Sequence, residues 1–187
     1  MFRYFPTNYV WNLSVDLAIE MGARIGEIEA MCAPLQEAAK APDAEGTRAF
    51  RETWVRMADQ LCVLAEEDEA RGRLISAGDK YGRAASYCLT AERLQAHGAP
   101  GREALYRRML DLFARSIALA GDNCERIEIP YEGTTLAALY VRAEGMAGPA
   151  PLLVQVNGLD SMKEMKYRVG LPQWLARRGV SSLLVDQ

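Results

Sequence analysis

The sequence predicts an α/β protein in two parts. An all-α domain covers residues 1–123, and a β-hairpin plus a strand–helix–strand unit covers 124–187. Three observations carry this. Apolar residues recur at helical spacing through the first two thirds of the chain. The period changes at Asn123, where polar and apolar residues begin to alternate. Beyond Pro151 a short apolar run, Leu152 to Val156, is followed by a turn, a helical pattern and a second apolar run, Ser182 to Val185.

The helices come first. Asn12 or Ser14 can cap a short helix, Val15 to Met21, that stops near Gly22. A second helix is expected from Ile25 to Ala39, before Pro42, and Asp43-Ala-Glu-Gly46 is expected to be a loop. A long helix follows, Thr47 to Arg71. Its Phe50, Trp54, Met57, Leu61 and Leu64 repeat at spacings of four and three, which stacks them on one face. Glu66-Glu67-Asp68-Glu69 lies near its end, where acidic groups oppose the helix dipole, so the run reads as a solvated face rather than a metal site. Two more helices are expected, Ser76 to Gln95 and Arg102 to Ala120. Leu105, Met109, Leu112, Phe113 and Ile117 point inward on the second. Tyr81, Ala84, Ala85, Tyr87 and Ala91 look a little like a tetratricopeptide hairpin, without a second copy at the required period.

The strands come next. Glu125 to Pro130 and Thr135 to Val141 flank the turn Tyr131-Glu-Gly-Thr134 and form a hairpin. Leu152, Leu153, Val154 and Val156 have the pattern of a strand covered on both faces. Asn157-Gly158 breaks it. Ser161-x-x-Glu164 has the form of a capping box that opens a helix to Arg178, kinked near Gly170 or Pro172. A helix starting just past a strand end offers unpaired N–H groups to a phosphate or a developing oxyanion. The plainer reading is an ordinary strand-to-helix connection. The closing strand, Ser182 to Val185, is expected to be an uncovered apolar edge, so the chain reads as a fragment or as one part of an assembly.

Composition narrows the function. A net charge of −3 gives no reason to expect nucleic acid. The first residues do not form a signal peptide, and no apolar run approaches a membrane span, so a cytoplasmic protein is expected. Cys32, Cys62, Cys88 and Cys124 are widely spaced, and His97 is the sole histidine. Buried free thiols, no metal site and no cofactor are therefore expected.

Ile129-Pro-Tyr-Glu-Gly-Thr-Thr-Leu136, Val156-Asn-Gly-Leu-Asp-Ser-Met-Lys-Glu164 and Leu183-Leu-Val-Asp-Gln187 together resemble one family. They look like the α/β-hydrolases with an N-terminal helical lid, which include the dihydroxypseudooxynicotine hydrolases and the fungal pigment polyketide-shortening hydrolases. Tyr81-x-Arg-Ala-Ala-x-Tyr87 and Ala91-Glu92 are similar to that lid. The resemblance covers the first half of a complete member. It implies a helical lid domain, then the first strands of a truncated α/β-hydrolase sheet, in a homodimer. The substrate it implies is a small ketone, cleaved at the neighbouring C–C bond, or an ester. It also implies a Ser-His-Asp triad, but no G-x-S-x-G elbow occurs here and His97 lies in the lid portion, so none of the triad is present. The oxyanion side maps onto the loop after the third strand, with the backbone N–H of Leu159 and of Gly158 as donors. Asn157 stands where many relatives of the broader fold carry histidine. Trp54, Arg83 and Tyr87 are candidates to line the substrate cleft from the lid; aromatic residues at helical spacing are more often core, and Arg83 has lid carboxylates to pair with. The competing reading is a non-catalytic helical module that binds a protein partner.

Overall fold

The computed structural model describes residues 3–41 and 43–186, without the side chains of 43–46. Pro42 and Gln187 lie outside them. The chain divides into two compact units, Met1–Gly121 and Asp122–Gln187.

The first unit is helical. Helix α1 (Tyr9–Glu20) starts earlier than expected because Asn8 caps it, its side chain accepting from Trp11 N–H at 3.1 Å. Asn12 instead lies inside the helix and is buried, with its Oδ1 taking Phe5 N–H at 2.8 Å. Helix α2 (Ile25–Cys32) stops short of Ala39. Pro34 cannot continue the ladder, and two 3-10 turns, Ala33–Leu35 and Ala38–Lys40, carry the chain onward. Helix α3 (Asp43–Ala70) absorbs the expected loop at 43–46. Helix α4 (Leu74–Arg93) is packed between α3 and α5 (Arg102–Ala120), and its residues from Tyr81 to Glu92 are all buried. Close approach of α4 and α5 uses Gly78, where a Cβ would sit 3.1 Å from the Ser116 carbonyl oxygen.

The inward face of α3 is Phe50, Trp54, Ala58, Leu61 and Ala65, with Leu64 exposed. Leu64 therefore does not belong to the core stripe; the alanines let α4 come close. The rings form one continuous ladder. Phe5, Trp11, Phe50, Trp54 and Tyr87 touch in turn, with centroids 4.8–5.5 Å apart.

The acidic run at the end of α3 is not uniformly solvated. Asp68 is buried and accepts from Lys80 Nζ at 2.6 Å, from Ser76 Oγ at 2.6 Å and from Arg73 at 3.4 Å. Those bonds, Lys80's first, hold its carboxyl down at about 2, against an ordinary 3.8. A lowered folded-state value means the contribution is complete above the ordinary value. It is lost as pH falls through about 2. We expect urea midpoints of the helical unit to drop between pH 4 and pH 2. The drop should be smaller in Asp68→Asn, whose baseline stability is lower. Equal pH slopes in the two proteins would contradict this.

The second unit is a mixed four-stranded sheet in the order β1-β2-β4-β3. Strands β1 (Glu125–Tyr131) and β2 (Thr134–Val141) form the expected antiparallel hairpin. Glu132 and Gly133 both have positive φ, +43° and +80°, as a two-residue turn matched to strand twist requires. Strand β3 (Leu152–Val156) runs parallel to β4 (Ser181–Val185), and β4 runs antiparallel to β2.

This reverses the expected roles of the last two strands. β4 lies between two neighbours and is mostly buried, while β3 is the edge in the described sheet. Leu152, Leu153, Val154 and Val156 are each 39–57% exposed. The cause is the long-range antiparallel pairing of β4 with β2, which sequence order does not announce. The single helix expected to Arg178 is two short ones, α6 (Lys163–Arg168) and α7 (Leu171–Ala176), separated by Gly170 at φ +94°.

Candidate functional site

The loop that follows β3 carries Gly158 and Leu159. It is built differently from a capping box. Helix α6 begins at Lys163, its N-cap Met162 supplies no side-chain bond, and with six residues the helix is too short for a strong dipole. Ser161 serves the turn instead. Its Oγ accepts Gly158 N–H at 3.1 Å, and its own N–H donates to Gly158 O at 3.3 Å. Glu164 does not reach back to Ser161. It is buried and meets Lys163 Nζ at 3.0 Å.

The N–H of Lys163 goes to Asp186, at the end of β4, at 2.8 Å. Lys163 Nζ donates to the other oxygen of Asp186 at 2.6 Å, and Asn157 Nδ2 donates to Asp186 as well. Burial works against the Lys163 charge, but Glu164 and Asp186 outweigh it and raise its pKa. Burial raises the Glu164 carboxyl, against the opposing pull of Lys163. Glu164 Oε2 has no hydrogen-bond partner among the described residues.

Gly158 N–H is thus already engaged, whereas Leu159 N–H has no hydrogen-bond partner among the described residues. Leu159 is 99% exposed. The loop therefore presents Leu159 N–H, with those of Asp160 and Met162, as backbone donors without a partner among the described residues, at the C-terminal end of a parallel strand, where ligands of open α/β sheets collect.

Trp54, Arg83 and Tyr87 all lie in the helical unit and are brought together there. Trp54 and Tyr87 meet edge to face at 5.5 Å, and Trp54 Nε1 has no partner among the described residues. Arg83 Nε donates to both oxygens of Glu27 at 3.1 and 3.2 Å, and its guanidinium also holds Asp79. Tyr87 donates its hydroxyl to Glu27, and burial followed by that bond pushes its pKa well above the usual phenol range. All three are buried. Arg83 is paired with carboxylates, the alternative the sequence left open. Glu27, the hub of this cluster, carried no pattern that sets it apart from other surface-type glutamates.

The four cysteines are free. Cys32 and Cys88 are buried, and Cys62 and Cys124 half-buried. Burial first, aided by Asp122 and Glu164, pushes the Cys124 thiol up to about 12, so it is a poor nucleophile at neutral pH. Among the described residues no cluster of three or more His, Cys, Asp or Glu side chains could hold a metal ion. No helix among them is long and apolar enough to cross a membrane.

The architecture defines the class first. The crystal structure of the 2,6-dihydroxy-pseudo-oxynicotine hydrolase matches with a TM-score of 0.68 at 22% identity, over 91% of this chain and 44% of that one. Wild-type AbyA5 matches with a TM-score of 0.53 at 23% identity, over 92% and 44%. These likenesses show the α/β-hydrolase fold over the part the chain spans.

Sequence relatives then give the group. The chain is 29% identical over 187 residues to hydrolase LUC6 of Fusarium sp, covering 95% of this chain and 43% of that protein. It is 29% identical over 126 residues to hydrolyase poxO of Penicillium oxalicum, covering 64% and 30%. It is 26% identical over 133 residues to the 2,6-dihydropseudooxynicotine hydrolase of Paenarthrobacter nicotinovorans, covering 71% and 35%. No family model matches the chain. The resemblance read from the motifs is borne out: the chain has hydrolase relatives and an α/β-hydrolase fold. It spans less than half the length of these curated relatives.

Proposed function

We propose that the chain is the helical lid and the oxyanion side of a serine-type α/β-hydrolase that cleaves an ester, or a C–C bond beside a ketone. The observation that carries this is Leu159 N–H, an unpaired donor at the end of β3 in a chain whose relatives are named hydrolases. In such an enzyme a serine oxygen attacks the carbonyl carbon, and the carbonyl oxygen gains the electron pair. A fixed N–H stabilises that charge more than it stabilises the neutral carbonyl, which lowers the barrier. The carbon or alkoxide leaving group departs with the bonding pair and takes up a proton, and water then releases the acid. The triad belongs to sequence outside this chain. The bare apolar edge of β3 supports this, since it is where a further strand of the same sheet would pair.

A fluorophosphonate probe tests the reading. The 187-residue chain should remain unlabelled and inert toward p-nitrophenyl esters. The longer polypeptide that contains it should label at one serine on a strand-to-helix elbow. Labelling of the chain alone, abolished by one serine substitution, would refute the division of labour. An intact protein that neither labels nor hydrolyses esters or diketones would favour a binding module.

A further inference from the structure

We infer that Asp186 is a positioning residue that holds both ends of the 157–162 loop and thereby aims Leu159 N–H. Its catalytic consequence rests on the hydrolase reading above; the clamp itself does not.

Three donors converge on this one carboxylate. Asn157 Nδ2 comes from the start of the loop, Lys163 N–H from its far end at 2.8 Å, and Lys163 Nζ from beneath at 2.6 Å. Asp186 is in turn tied to the sheet. Its N–H donates to Ala137 O on β2 at 3.1 Å, and the preceding Val185 O accepts Asn157 N–H at 3.3 Å. Between the two anchored ends only Gly158 and Ser161 bond to each other, so the tip at Leu159 takes its direction from where the ends are held.

A carboxylate is needed because of the donor count. Both its oxygens accept, and they serve all three donors. An amide has one accepting oxygen, and its NH2 group would face a donor whichever way it turned. The buried ammonium adds a second constraint. Lys163 has a side-chain exposure of 2% and sits between Asp186 and Glu164, so the Asp186 carboxylate cannot swing away without leaving that charge half-compensated.

The test uses Asp186→Asn in this chain and in the intact polypeptide. In the chain, amide exchange at position 163 should accelerate at least about tenfold, and exchange at 157 should rise with it, while the helical unit is unchanged. In the intact enzyme kcat should fall about 100-fold, the scale of a roughly 1 Å misplacement, with KM and the pH profile little changed. The triple variant Lys163→Met/Glu164→Gln/Asp186→Asn should recover part of kcat, because one amide oxygen then has only the two loop-end donors to serve and no buried charge is left unpaired. If Asp186→Asn fails to fold, Asn157→Ala keeps the buried ion pair and should still lower kcat about tenfold by freeing the start of the loop.

Unchanged exchange at position 163 in folded Asp186→Asn overturns the clamp. Faster exchange with unchanged kcat overturns its role in catalysis. An inactive intact wild-type protein would sink the hydrolase reading instead, and exchange alone would then decide the clamp.

Discussion

Trp54→Ala is expected to destabilise the helical unit by about 3–5 kcal/mol, the usual cost of deleting a large aromatic from a core. Trp54 is wholly buried, stacked on Phe50 at 5.1 Å and edge-on to Tyr87 at 5.5 Å. It links Phe50 to Tyr87 in the ring ladder, so the cavity opens between two rings that cannot both collapse into it. Its orphaned Nε1 makes the site slightly less favourable than pure apolar packing. Trp54→Phe should therefore cost far less than Trp54→Ala, since it keeps a ring and removes the unmet donor. Urea unfolding followed by far-UV circular dichroism, which reports mainly the helices, would measure both. A loss below about 1 kcal/mol for the alanine variant would mean that the ladder does not hold the unit together.

Leu159→Pro has the largest effect expected on chemistry. In the intact hydrolase it should lower kcat by about 100- to 1000-fold, the cost of one missing oxyanion donor. The structure makes this substitution unusually clean. Leu159 is almost fully exposed, and its N–H serves no other residue described here, so proline removes a donor without breaking an internal hydrogen bond. Thermal midpoints of the variant and parent should agree within a few degrees. A folded Leu159→Pro enzyme with near-normal kcat would place the donor elsewhere. Gly158 is the less suitable candidate, because Ser161 Oγ already takes its N–H.

The parts of the fold that were legible in the sequence are those decided locally. Helix α5 begins and ends at the expected Arg102 and Ala120, because Gly101 and Gly121 flank it with positive φ. The hairpin turn at Glu132-Gly133 was equally plain. The parts that were not legible depend on residues far away in sequence. Ser161-x-x-Glu164 has the letters of a capping box, yet Asp186 arrives from the end of β4 and takes the N–H of Lys163, which leaves Ser161 to close a turn. Asp68 sits in an acidic run that looks solvated until Lys80, on the next helix, reaches it. Arg83 and Tyr87 share Glu27, more than fifty positions away in the chain. At the candidate site the location of the loop was readable from the strand-to-turn pattern. Which of the two expected donors, Gly158 N–H and Leu159 N–H, is available was not, because that depends on where the Ser161 hydroxyl points.

The position of β4 has a consequence for how the chain is made. Ribosomes deliver the N-terminal residues first, and the β1–β2 hairpin can close as soon as both strands have emerged. β3 comes next, yet in the described sheet its pairing partner is β4, which follows it in the chain after two helices. At about 5–20 residues per second, the stretch from Leu152 to Val156 waits on the order of seconds with its hydrogen-bonding groups and apolar side chains bare. The run Leu-Leu-Val-Gln-Val has no charge and no proline to discourage pairing with another copy. During synthesis this segment is therefore a point at which the sequence is open to aggregation, and a chaperone that holds extended apolar segments would act on it at this stage.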